Sequence, residues 1–323
     1  MLQTKKNNII QFFRAVAIIA VVMIHTTPPG NYQVICRPFI NFSVATFLFL
    51  SGYLTKINNN NWIRLINKRI TRVIIPYFIW TILYTIASQD ISEITYNIFT
   101  ARAAAPLYYI FVYIQFVLLT PLLCLLAQSK YRSLGLFVSP ISILIYRYYW
   151  YYVYGDTYFY VSLVWSDSCL GWFLFYYLGI LLGNGIYKKI YSIKWLLVLY
   201  VISIVFQMCE GYLWKMFGDV NCGTQLKLTS LITSTIFLLI VHTLLRDNRF
   251  VIKSKFLIIL GDYSFGIYLC HIMIMMFLSD YVSLYKNIPY PINSVIIVLI
   301  SLCCCYVGNR VLGQRFSRWF GLI

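Results

Sequence analysis

Apolar runs of about twenty residues recur from one end of this 323-residue chain to the other, and that recurrence limits the fold more than any motif does. Wound as a helix, about 20 residues rising 1.5 Å each span the roughly 30 Å hydrocarbon core of a bilayer. There every backbone N–H and C=O must be satisfied internally, so runs of this length fold as helices. Composition agrees. Hydrophobic residues make up 61% of the chain and charged residues 11%, where a soluble domain carries about 25% charge. The sequence therefore predicts an all-α, polytopic transmembrane bundle of about ten helices.

The expected spans are residues 8 to 27, 38 to 56, 73 to 89, 106 to 127, 133 to 150, 169 to 186, 192 to 211, 227 to 245, 256 to 278 and 292 to 312. Loop charges give them an orientation. Of 26 Lys and Arg residues, nineteen fall on the side that carries both termini, among them Lys56, Arg64, Lys68, Arg69 and Arg72 in one connection. Six fall on the other side: Arg37, Arg102, Arg147, Lys215, Lys227 and Lys286. By the positive-inside rule both termini are cytoplasmic and the number of spans is even. The formal charge of +17 is thus a topological signal rather than a nucleic-acid footprint, because the cations sit in short loops and not along one polar face.

No connection is long enough for an independent soluble domain, so one transmembrane domain over residues 1 to 323 is expected. The first apolar run lacks a small-residue cleavage site and reads as a retained helix. The Tyr-rich stretch from Tyr146 to Tyr160, with Trp150 and Trp165, fits an outer interfacial aromatic belt. Nine cysteines show no metal-ligand spacing. Cys303, Cys304 and Cys305 are consecutive and point in different directions, as small packing residues do.

Two ionisable residues interrupt the first apolar run. Arg14 and His25 are eleven positions apart, three helical turns plus about 20°, so they share one face about 16 Å apart along the axis. Ionisable groups inside a span are expensive in lipid, so the pair should face a protein or water-lined interior and mark a functional site.

Arg14 and His25 in FFRAVAIIAVVMIH resemble the R-x10-H signature of the bacterial acyltransferase-3 family of integral membrane O-acyltransferases. Further strings follow in order. TFLFLSGYLT, Thr46 to Thr55, resembles that family's FFxxSG element, with Leu48 in place of the second Phe; KRITRVIIPY, Lys68 to Tyr77, resembles its R-x-x-R element. PLYYIFVYIQFVLLTPLL, Pro106 to Leu123, resembles the start of its fourth helix, with Tyr108-Tyr109 for the usual Trp-Phe. WFLFYYLGILLG, Trp172 to Gly183, and GDYSFGIYLCHIMI, Gly261 to Ile274, match later strings, so the resemblance covers nearly the whole chain.

The resemblance implies transfer of an acyl group, usually acetyl, from cytoplasmic acetyl-CoA or another acyl-CoA to a hydroxyl of a cell-envelope or exopolysaccharide sugar, or of its lipid-linked precursor, in the bacterial cytoplasmic membrane. No metal or permanently bound cofactor is implied. His25 is the candidate base, since imidazole is the side chain best suited to take the hydroxyl proton near neutral pH. His271 lies at a matching depth and has three roles open to it: orienting His25, binding the acceptor, or relaying a proton. Arg14, Arg69 and Arg72 are the candidate ligands of the coenzyme phosphates. Ser51 and Gly52 are candidates for the wall of a substrate channel, although a small-residue helix contact would select the same pair. A glycan-lipid flippase, polymerase or other envelope transporter shares the composition but not the ordered motifs.

Overall fold

A computed structural model describes residues 2–59, 61–155, 168–187, 191–247 and 250–322. Among them the secondary structure is helical, with no strand. The main elements are α1 (Leu2–Thr26), α2 (Ser43–Tyr53), α3 (Trp62–Ala87), α4 (Tyr108–Gln128), α5 (Val138–Ile143), α6 (Phe173–Gly183), α7 (Ile193–Met216), α8 (Leu228–Arg246), α9 (Lys255–Asp262), α10 (Ser264–Tyr281) and α11 (Ile292–Trp319).

Eight stretches of the described residues are long and apolar enough to cross a membrane, and each coincides with an expected span. The other two expected spans differ in build. Residues 133 to 150 fold as short pieces: a 3-10 turn Arg132–Phe137, then α5, a π-helical stretch Leu144–Tyr149 and a last turn Trp150–Tyr154. Residues 169 to 186 give the shorter apolar helix Cys169–Gly183, whose α6 portion is buried on all sides save at its last residue. A helix apolar all round is one that is surrounded. Because the two segments are consecutive, counting both or neither as crossings leaves the sidedness of every later loop unchanged.

That parity makes topology testable. Reporter fusions at Asn60, Lys130, Lys189 and Asp247 should report the cytoplasm, and fusions at Ala103, Asp219 and Lys286 the opposite side. Asn60, Lys189 and Asp156, the last also expected on the opposite side, lie outside the described residues, as do Tyr158, Tyr160 and Trp165 of the expected aromatic belt; within it, Tyr149 and Tyr152 are exposed. A fusion series that failed to alternate would overturn the assigned depths of His25 and His271.

The central element is α1, which packs against α2, α8, α9, α10 and α11. Its small and branched positions Ala15, Ala17, Ile18 and Val22 are fully buried. Close approach elsewhere depends on glycine. A Cβ at Gly179 of α6 would stand 2.8 Å from the Tyr53 amide nitrogen, and one at Gly183 2.8 Å from the Tyr53 Cα. With Gly52 facing the Tyr176 backbone from α2, the two helices meet along small residues, the usual device where lipid supplies no hydrophobic drive between helices. Gly261 does the same for α9 on α1, where a Cβ would lie 2.9 Å from the Gln11 Cα. The expected run 256 to 278 is interrupted at Tyr263 (φ −86°, ψ 3°), which divides α9 from α10. All nine cysteines are free thiols.

Candidate active site

Two cavities lie along α1. The larger, about 1290 Å³, is lined by Gln11 and Arg14 of α1, Ser51 of α2, Arg64, Lys68, Arg69 and Arg72 of α3, Tyr109 and Tyr113 of α4, Asp262 of α9 and Phe265 and Tyr268 of α10. The basic residues of α3 recur at three- and four-residue spacing, which puts them on one helix face. Five cations thus surround a space whose lining contains one carboxylate, Asp262. Such a wall attracts a polyanion. Arg14 donates from Nη1 to Gln11 Oε1 (3.2 Å) and Arg69 from Nη1 to the Tyr176 hydroxyl (3.1 Å), which is itself bonded to Thr120 (2.8 Å). These bonds fix two guanidinium groups while leaving most of their donors for a ligand.

The smaller chamber, about 220 Å³, is lined by His25 with Val21 and Ile24 of α1, Arg37, Asn41, Pro106, Tyr108, Trp172, the loop Gly223–Leu226 and Tyr268. Tyr268 is the residue common to both linings, and its hydroxyl donates to the Pro106 carbonyl. The two polar groups of the first helix therefore serve separate spaces: Arg14 borders the basic cavity and His25 the chamber beyond Tyr268.

His271 stands beside His25, with ring centroids 5.3 Å apart. Its Nδ1 lies 2.8 Å from the Tyr268 carbonyl and 3.1 Å from the Ile267 carbonyl. Both partners are acceptors, so the geometry assigns the proton to Nδ1 and leaves a lone pair on Nε2, which is buried without a hydrogen-bond partner. The Tyr84 hydroxyl bridges the Leu269 carbonyl (2.7 Å) and the Met273 amide (3.1 Å), bracketing His271 on α10.

Ser51 and Gly52 part company. Ser51 is on the cavity wall, whereas Gly52 is in the α2–α6 contact and absent from both linings. His242 is buried beside Tyr53, ring centroids 5.9 Å apart, and lines neither cavity.

Several residues escaped sequence reasoning. Tyr268 and Asp262 lie inside a motif string but were not singled out, and Asn41 carries no local signature at all. Arg37 read only as an outer loop charge; the rarity of cations on that side, six in all, was the signal that could have raised it. The loop over the chamber is held from its outer flank. Asp219 pairs with Arg147, whose guanidinium lies over the Trp214 ring at 4.4 Å, and Lys227 Nζ donates to the Cys222 carbonyl (2.6 Å). Glu210 accepts from Tyr148, from the Thr229 hydroxyl and amide (3.1 Å for the latter) and from Trp214 Nε1 (3.1 Å).

A family model described as an acyltransferase domain matches residues 7–310. No curated protein and no solved structure matches the chain.

Proposed function

The chain belongs to the acyltransferase-3 family and is a multi-pass membrane acyltransferase, and from that premise we propose that it carries an acetyl group from cytoplasmic acetyl-CoA to a hydroxyl of a cell-envelope sugar in the bacterial cytoplasmic membrane. The observation that carries this reading is the pair of cavities meeting at Tyr268, one ringed by arginine and lysine and the other holding His25. In it, the nucleotide phosphates lie against Arg14, Arg69 and Arg72, and the pantetheine arm reaches past Ser51 toward Tyr268. The sugar waits in the chamber.

His271 then orients the base. Its Nε2, unpartnered in this structure and beside the His25 ring, is the acceptor that an N–H of His25 would meet as the acceptor sugar seats; that bond would leave the other His25 nitrogen basic, the tautomer control a general base requires. The acceptor hydroxyl gives its proton to that nitrogen as its oxygen attacks the thioester carbonyl; the C–O bond forms, the C–S bond breaks, and the coenzyme thiolate leaves and takes up the proton. His25 acts here as a base in direct transfer.

Donor binding tests the first half of this reading. Arg69→Ala and Arg72→Ala should each weaken acetyl-CoA binding by about 1.5–3 kcal/mol, the worth of a hydrogen bond to a charged group, whereas His271→Ala should leave donor affinity unchanged. Calorimetry on purified protein reads this directly. If both arginine variants bind acetyl-CoA like the parent, the donor site is elsewhere. Mass spectrometry of surface glycans from cells with and without the protein tests the second half, through the acetyl increment on a sugar.

A further inference from the structure

We propose that the chamber beside His25 takes an acceptor sugar carrying a negative charge, a carboxylate or a phosphate, held by Arg37; this rests on the acyl-transfer reading. Arg37 opens the 3-10 turn Arg37–Phe39 that leads into α2. Its side chain passes Gly223 so closely that a Cβ there would stand 2.7 Å from the Arg37 Cδ. Glycine at 223 is what lets the guanidinium reach the chamber.

The guanidinium has five N–H donors, and the structure gives it one bond, from Nη2 to the Ile24 carbonyl (3.2 Å), next to His25 in the chain. Its Nε is buried without a partner. Among the described residues the sole ion pair is that of Arg147 with Asp219, so no carboxylate there neutralises Arg37. Arg37 is half-buried with its Nε wholly enclosed, and a cation partly withdrawn from water without a counter-charge is costly. Holding one carbonyl needs one N–H and no charge; the charge is unexplained by structure alone.

The rest of the lining suits a hydroxylated ligand. Asn41 donates to the Gly223 carbonyl (3.2 Å), but its Oδ1 is buried and accepts nothing, and the same holds for Gln225 Oε1. Buried polar atoms are normally satisfied, so two orphan acceptors beside a guanidinium with one of its five N–H groups bonded describe the complement of a ligand that donates hydroxyl protons and presents an oxyanion. At about 220 Å³ the chamber is below the roughly 300–1,000 Å³ of a drug-sized site, which limits it to about one sugar residue. The anion has a second use. It balances the positive charge that gathers beside Arg37 as His25 takes the hydroxyl proton.

Ligand-observed NMR titrations of the purified full-length protein decide the matter, with methyl glucuronide, glucose 1-phosphate and neutral methyl glucoside as probes. At least one anionic probe should bind about tenfold or more tightly than methyl glucoside, a preference of roughly 1.4 kcal/mol. Which of the two does so separates an acidic sugar from a phosphorylated or lipid-linked one. Arg37→Gln, which keeps a donor for the Ile24 carbonyl, should abolish the preference by weakening the anionic probe more than methyl glucoside, and Arg37→Lys should retain part of it. The proposal is overturned if neither anionic probe outbinds the neutral one, binding by none of the three included, or if Arg37→Gln keeps the preference. Acetyl-CoA binding by the same preparations reports that each variant is folded. A protein that selects anions through Arg37 yet never transfers acetyl groups from acetyl-CoA would retain the acceptor assignment and lose the acyl-transfer reading.

Discussion

On the proposed reading, His25→Ala should lower acetyl transfer by about 10²–10⁴-fold, the usual effect of removing a general base, while the protein still inserts, accumulates and binds acetyl-CoA. Separation of the two cavities is the reason. His25 lines the small chamber and is absent from the wall of the basic one, so its loss leaves the cations of that cavity untouched. The substitution also removes a polar group from an apolar helix and puts a good helix former in its place. Glycan acetylation at the parental rate in a well-expressed His25→Ala strain would remove the histidine from the chemistry.

Asp219→Ala should destabilise the protein by about 3–5 kcal/mol, since it strands Arg147 as a buried unpaired cation. Both side chains are nearly inaccessible, at 6% for Arg147 and 2% for Asp219. The damage should extend inward, because Asp219 also accepts from the Asn221 amide (2.8 Å) in the loop that runs on to Gly223–Leu226 over the chamber. Replacing both partners by apolar residues, Arg147→Met with Asp219→Leu, should recover most of the loss, as removing both charges leaves neither stranded. Thermal unfolding in detergent compares the three proteins. A single variant as stable as the parent, or a double variant no better than the single, would show that the pair does not hold the outer loop.

Much of this architecture was legible along the chain. Length of apolar run and sidedness of charge suffice to place helices in a bilayer, because both signals are local and the solvent enforces them residue by residue. Residues 133 to 150 and 169 to 186 are helical as expected but differ in build, since hydropathy is the same for a crossing helix, a helix broken into 3-10, α and π turns, and a short helix walled in by others. Hydropathy measures the solvent a residue prefers; it does not measure how many turns the backbone completes.

The candidate site divides in the same way. Arg14 and His25 were visible because one helix carries both, and helical period fixes their relation without any partner. Arg69 and Arg72 were visible as loop cations, but that they share a wall with Arg14 depends on how α3 packs against α4, α10 and α11, across the cavity from α1. Ser51 and Gly52 are neighbours in sequence and separate in role, since adjacent helical residues point about 100° apart and only the packing says which direction is cavity and which is α6. Arg37, Asn41, Gln225 and Tyr268 come from distant parts of the chain. Solvent, helices and the shared face of Arg14 and His25 could be read along the chain, all consequences of short-range chemistry. Packing between distant segments is what sets His271 against His25, makes Tyr268 common to two cavities and brings Arg37, from the sparsely charged side, into the chamber that His25 lines, because such contacts arise only when helices close-pack.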